Sequence, residues 1–420
     1  MATLRTIGLA GFLALAVIAL LILLLGPVAW WATPSKHLQG KDKTDALNGT
    51  RQVLLAAAGG AAALTGLLFT GRTFHLSRRG QLTDRYSKAT AQLASDKQTE
   101  RLAGVYALEH VMVESVRDHD AVVEMLSAFI RERRPLSEVA VDAGSSGEND
   151  IDAEAQATGT APETPSKTRK VPADVQAALT VLGRRPRRPE RNGVDLRNTD
   201  LTGADFSKAH FPNLSVESSL LCDANLTEAD LTALVANNAN LRAAKLDGAR
   251  LQKAQLREVI GHGASLVGAQ LSAADFRYSG FKEISAEGAN FRGAIMDYAV
   301  FDDSDFARCD MREASLVGAK LRGVNLSRGR LSDAKMAKAQ IQRSNFLGAN
   351  LKGVDLDRTG MEGALFYSAL PEEGVAQNLT GSQVVRGFRD QSTVLPPELK
   401  DLPPGLQRMK NAIQFGDQQD

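Results

Sequence analysis

Hydrophobic positions change rhythm several times along the chain. From Thr6 to Ser35 there are 30 consecutive uncharged residues, densest between Phe12 and Leu25, and a helix of about 20 residues is enough to cross a hydrocarbon core. A second uncharged run, Gln52 to Gly71, has 20 residues and would span with little tilt. Ala56, Gly60, Ala62 and Gly66 give it a small-residue surface that permits close packing against the first span. Trp30 and Trp31 suit the headgroup level, and the length of the first run argues against a cleaved secretory signal. The pattern predicts an N-terminal two-helix transmembrane hairpin. Its parts are a first segment with its flank over 1–35, a connecting loop over 36–51 and a second helix over 52–71. The bilayer would be met through residues 7–31 and 52–71. A buried or re-entrant helix is the competing reading of the second run, since alanine is only weakly hydrophobic. Arg72, Arg78, Arg79, Arg85 and Lys88 follow that run, while the four cations of the loop are accompanied by two aspartates. This bias favours a cell-membrane protein with two spans and both termini cytoplasmic.

Between Ser87 and Arg133 the apolar spacing becomes helical, with Leu102, Val105, Leu108 and Met112 in one stretch and Val122, Leu126, Phe129 and Ile130 in the next. Asp96 and Asp118 are candidate caps, and Leu82–Leu93 a candidate preceding helix, so residues 72–134 read as a small juxtamembrane helical segment. The stretch RLAGVYALEHV resembles the second helix of a HEAT-type repeat, but one copy does not make a solenoid. The His119-Asp120 pair has no companion cluster and sits at a helix start, which favours a capping role over a metal site. Residues 135–171 read as a disordered acidic linker, because Asp142–Lys167 holds six acidic residues, many small ones and no periodic apolar face. A short helix near Pro172–Leu182 and the five arginines of RRPRRPER complete a basic connector over 172–191. A solvated connector is its default reading, with contact to anionic lipid or nucleic acid as the alternative.

From Leu196 to Phe366, counting by fives, there are 35 positions without an insertion, and 32 of them hold Leu, Phe, Met, Ile or Val. The exceptions are Ala236, Gly261 and Ala286. Two residues earlier stand 20 alanines and 12 other small or β-branched residues. Neither a helical period of 3.6 nor a strand period of 2 produces this. Fragments such as TDLTGADF, DANLTEADL and LGANLKGVDL repeat the phrase A-D/N-L/F-x-x, and over residues 192–370 the chain resembles the pentapeptide-repeat family.

The resemblance implies a mainly β fold: a right-handed quadrilateral β-helix in which each pentapeptide forms one face. Its central Leu or Phe and the small residue two places earlier would point inward. Four faces need about 20 residues per coil, so the repeats amount to about nine coils and a rod about 40 Å long. One inward ladder should run through Leu201, Leu221, Leu241, Gly261, Phe281, Phe301, Leu321, Ile341 and Met361. Small central residues coincide with large ones two positions upstream, as in Leu234/Ala236, Val259/Gly261 and Ile284/Ala286, so volume would move between the two inward sites. Cys309 falls inward and Cys222 just outside a central position, a poor arrangement for a disulfide. The family resemblance extends into 371–420, where QNLTGSQVVRGFRDQSTVLPPEL matches its closing pattern. It would cap the last coil, with a frayed tail beyond.

Composition narrows the function. The whole chain carries 50 Lys+Arg against 49 Asp+Glu, and Arg191–Leu370 carries 22 of each. Some pentapeptide-repeat proteins are acidic mimics of duplex DNA that bind DNA gyrase, and that role requires a concentrated acidic face. Asp195, Asp200, Asp205, Asp302, Asp303, Asp305 and Asp310 supply local patches only, while Lys245, Arg250, Arg330 and Lys335 occupy the usual Asp/Asn position elsewhere. Nucleic acid is therefore disfavoured as a partner. No P-loop, zinc motif, nucleophile elbow or Ser/His/Asp constellation is present, which argues against an enzyme and assigns no catalytic, cofactor-binding or metal residue. The leading expectation is a membrane-tethered scaffold whose rigid rod presents a surface to a cytoplasmic protein partner. A membrane sensor or transport accessory protein, the DNA mimic and an enzyme of unknown type are the alternatives. Composition sets no stoichiometry, so homo-oligomerisation stays open.

Overall fold

The computed structural model describes residues 19, 20, 22–33, 40–136, 171–368 and 374–402. The expected first span over 7–31 lies mostly outside the described residues, as do the expected linker from residue 137 to 170 and the tail beyond 402. The chain divides into two compact units, Met1–Asp84 and Arg85–Asp420.

In the first unit a π-helical turn, Leu24–Val28, leads into α1, Ala29–Ala32. Helix α2 is assigned over Lys41–Leu93, so the loop expected over 36–51 is helical from Lys41 onward. The charged stretch before Arg51 contains no proline, and the helix that the apolar run propagates carries through its weak point, Asn48-Gly49. Lys41–Phe74 is long and apolar enough to cross a membrane, and its most apolar window has no buried residue. Leu64, Leu67, Leu68 and Phe69 all lie exposed on it. Thr33 Oγ1 donates to the Ala29 carbonyl at 2.6 Å and lies 3.1 Å from Thr50 Oγ1, which joins the end of α1 to α2.

In the second unit three helices pack at the start of the repeats: α3 (Gln98–Glu114), α4 (His119–Arg133) and α5 (Ala173–Gly183). Val105, Leu108, Val111 and Met112 form the buried stripe of α3, and Val122, Val123, Leu126, Phe129 and Ile130 that of α4. Helix α5 is buried almost all round because it lies against both and against the first coil.

Bridging residues at −1 from each central position pair in parallel with residues 20 further on, from Asp195↔Ser215 to Asn345↔Leu365. The result is a four-sided β-helix with no slip in register. Every central side chain of the Leu201–Met361 ladder is buried. Residues at +2, where each corner turns, adopt a left-handed backbone with φ of about 53° to 71° across the coils. Leu234, Val259 and Ile284 are buried at 3%, 0% and 2% exposure, as volume compensation requires. Gly261 is filled by a second route too: a methyl group there would lie 2.0 Å from Phe281 Cε1, so the ring one coil on already occupies the space.

A β-helix must satisfy its terminal edges. At the first coil the helical segment does this on all four sides. The Asp195 carbonyl accepts from Arg131, and the Asp200 carbonyl from Arg134 Nε at 2.6 Å. The Asp205 carbonyl accepts from Gln176, and the His210 carbonyl from Arg185. The amides of Asp200, Asp205 and His210 donate to the Arg134 carbonyl, Gln176 Oε1 and the Gly183 carbonyl. At the other end, Gln377, Phe388 and Val394 bridge to Asn350, Gly360 and Leu365 and trace one further irregular coil. Helix α6, Gly381–Val385, forms part of that coil, and Gln383 Nε2 donates to the carbonyls of Leu351 and Val354.

Candidate interaction surface

Several charged groups singled out in the sequence turn out to hold the helical cap together. The basic connector, expected to be solvated, is packed in part: Arg185 and Arg188 are held by the cap, while Arg187 and Arg191 are exposed. Arg185 is 5% exposed and forms a two-pronged pair with Glu190 at 2.6 and 2.9 Å. Arg188 donates to the carbonyls of Met112, Val113 and Ser115 at the end of α3, where helical carbonyls have no internal partner. Arg184 pairs with Glu109. The five arginines of 184–191 resemble a solvated charge run only until the carbonyls met by Arg185 and Arg188 are seen.

His119 is the first residue of α4 and is 1% exposed, with Nε2 3.0 Å from Glu190 Oε1. Burial pushes the Glu190 carboxyl up, but its bonds to Arg185 and His119 outweigh this and hold it below the usual range. The histidine is therefore an interior anchor rather than a cap. Asp118 occupies the cap position, yet its carboxylate accepts from Ser115 Oγ and caps no helix amide. Asp96 precedes the actual cap residue, Lys97, and contributes its carbonyl to Arg101. Among the described residues no group of three His, Cys, Asp or Glu is arranged to hold a metal.

On the rod, the Asp and Asn side chains at −1 fold over their own corner. Asp195, Asp200, Asp205, Asp305 and Asp310 each accept from the backbone amide two residues on, within 2.9 to 3.3 Å. Asp302 reaches across to the Arg322 amide at 2.9 Å. These carboxylates build corners and inter-coil contacts, and Asp195, Asp200, Asp302 and Asp310 each pair with an arginine. Cys309 is buried and free, its thiol pushed up by burial and by the Asp310 carboxylate, while Cys222 is half-buried and free.

The outward surface has one aromatic feature. Tyr278 and Tyr298 stand 20 residues apart at the same corner, 61% and 52% exposed, with rings parallel within 4° and centroids 5.5 Å apart. Beneath Tyr298 lies Gly318, where any side chain would strike the ring at 2.7 Å. Ile295 is exposed on the same face. Arg257 and Arg277 both pair with Asp275, which is itself 8% exposed. Burial pushes the Asp275 carboxyl up, but the hydrogen bonds from Arg277 and Arg257 outweigh it and hold it at about 2. The signal for the tyrosine pair was in the sequence: two tyrosines one full coil apart share a corner only if the period is 20.

The charges are balanced in sum but banded along the rod. Residues 283–313 hold eight acids against three bases, and residues 316–352 hold eight bases against one acid.

The family model described as "Pentapeptide repeats" matches in eight copies over residues 192–217, 224–260, 262–293, 287–323 and 330–367. No curated protein sequence matches the chain. Among solved structures, HetL is similar, a pentapeptide repeat protein involved in heterocyst differentiation regulation from the cyanobacterium Nostoc. It is 20% identical over 49% of this chain and 93% of its own, with a TM-score of 0.35. QnrB1, a plasmid-mediated fluoroquinolone resistance protein, is 17% identical over 42% of this chain and 84% of its own, with a TM-score of 0.24. A pentapeptide repeat protein of the Arabidopsis thaliana thylakoid lumen is 30% identical over 23% of this chain and 63% of its own, with a TM-score of 0.19. With an unbroken 20-residue register, inward Leu/Phe ladders and eight matched copies, the chain is, over residues 192–367, a member of the pentapeptide-repeat family.

Proposed function

We propose that the chain is a non-enzymatic, membrane-tethered scaffold. A two-helix hairpin fixes it in the cell membrane with both termini cytoplasmic, and a right-handed rod presents its outer faces to a protein partner. The observation that carries this reading is the closure of both rod ends, by the helical cap and by the C-terminal coil, which leaves the sides as the available surface. The long apolar stretch within Lys41–Phe74 supports the tether. Its exposed leucines would need a lipid or protein cover.

Membrane fractionation and proximity labelling test the two halves separately. Full-length chain should sediment with membranes and resist carbonate extraction. Recovery only in the soluble fraction would end the tethering reading. A labelling enzyme fused after the rod should mark a reproducible partner set that vanishes when residues 192–370 are deleted. A set unchanged by the deletion would end the scaffold reading.

A further inference from the structure

The face bearing the two tyrosines is complementary to itself when reversed. Its +2 column reads Tyr278, Tyr298, Gly318, Lys338, Arg358, one residue per coil. Gly318 is the midpoint. If two rods lie antiparallel, face to face, with a two-fold axis crossing this face at Gly318, each column meets its own reverse. Tyr298 then opposes Lys338 of the second copy and Tyr278 opposes Arg358, four cation–π pairs in all by symmetry. In the +1 column Arg277 opposes Asp357 and Val317 meets itself. In the −1 column Lys335 opposes Ile295 of the second copy, with Asp297 two residues along that same coil. On this face the acidic band contributes Asp297 and the basic band contributes Lys335 and Lys338.

We infer that this face is the contact between two copies of the chain in an antiparallel dimer. Four observations select a second copy as occupant. Lys335 and Lys338 are exposed. The tyrosine rings and Ile295 are exposed and contiguous. In the +1 column Arg277 and Asp357 lie two coils to either side of Val317, so reversal about that coil brings opposite charges together. Gly318 puts no side chain of its own on the axis, and the Tyr298 ring covers it. The one like-charged opposition, Asp275 against Asp355, is offset by Arg257 and Arg277, which already hold Asp275. This inference does not depend on the tether or on the scaffold reading, since it concerns the rod alone.

The test uses the full chain, solubilised in detergent, on a Cys222→Ser background. Val317→Cys sits on the axis, so this variant should couple to itself under mild oxidation into a covalent dimer. Ser327→Cys, on the opposite face, should not. Sedimentation should show a reversible dimer whose Kd rises at least about tenfold in Lys335→Glu/Lys338→Glu, because symmetry removes each contact twice. Lys352→Glu, on another face, should leave Kd unchanged. A chain that stays monomeric, a dimer in which the two cysteine variants couple equally well, or a dimer indifferent to Lys335→Glu/Lys338→Glu would each overturn the inference.

Discussion

Gly261 is the only glycine among the 35 central positions, and its replacement by alanine tests how the core is filled. The new Cβ would lie 2.0 Å from Phe281 Cε1, 2.3 Å from Cδ1 and 2.8 Å from Cζ. Carbon atoms prefer about 3.5 to 4.0 Å, so the ring must retreat by roughly 1.5 Å. It has little room: Phe281 stacks on Phe301 at 6.0 Å and meets Phe276 edge-on at 5.4 Å. A one-carbon insertion should therefore cost about 2 to 3 kcal/mol, the upper part of the range for overpacking. Phe281→Leu alone should cost about 1 to 2 kcal/mol through the space it leaves. Combined, the two should be far less harmful than their sum, with a favourable coupling of about 2 kcal/mol. Urea unfolding of the full chain in detergent, followed by circular dichroism, measures this. Midpoint and slope should be read together, because stacked coils interact mainly with neighbours and the transition can broaden. If Gly261→Ala unfolds like the parent, or if the two substitutions are simply additive, Phe281 does not fill the glycine's place.

Further outcomes follow from the charged groups and thiols. Asp275 has its pKa held at about 2 against an ordinary 3.8; its carboxylate therefore stabilises the fold fully above pH 4 and loses that contribution as pH falls toward 2. Asp275→Asn should cost about 2 kcal/mol near neutrality and almost nothing near pH 2, as read by urea midpoints at both pH values. Arg188→Ala leaves three carbonyls at the end of α3 unmet and should lower stability by about 2 kcal/mol, with faster proteolysis in the helical cap before the rod. The pair Arg101–Asp174 lies at 2.6 Å with the carboxylate 1% exposed. Arg101→Ala should cost about 3 kcal/mol or more by stranding that charge, whereas Arg101→Ala/Asp174→Ala should recover part of it. Iodoacetamide should label Cys222 slowly and Cys309 not at all in the native chain, with both reacting after denaturation; native labelling of Cys309 would contradict its burial.

The repeat was legible because each pentapeptide sees nearly the same surroundings, so one rule recurs at Leu196, Leu201 and every fifth position to Phe366. The cap was not. Arg131, Arg134, Gln176 and Arg185 meet carbonyls of the first coil that lie 25 to 66 residues away, and no local pattern encodes such a pairing. The run RRPRRPER has the composition of a solvated connector, and only the distant partners of Arg184, Arg185 and Arg188 (Glu109, the His210 carbonyl and the carbonyls at the end of α3) explain those three arginines. The loop expected before Arg51 failed for a different reason. Charge marks where a membrane span must end, but it does not mark where a helix must. At the surface, counting acids and bases over the whole rod gave an even balance and concealed the banding, because summation discards position. The tyrosine corner was equally hidden until the register assigned Tyr278 and Tyr298 to one column.

The fourfold clasp on the first coil sets a limit on how this chain can change length. Each side is held by its own residue of the helical cap, and the far end is closed by a tail with its own irregular sides. Loss of five residues from the middle of the rod would keep every ladder filled, yet it would turn one end by a quarter-turn relative to the other and break each surface column into two mismatched halves. Loss of 20 residues would shorten the rod by one coil and leave both ends in phase. Viable length variants should therefore differ by whole coils, and the coil rather than the pentapeptide is the unit in which this molecule can be lengthened or trimmed.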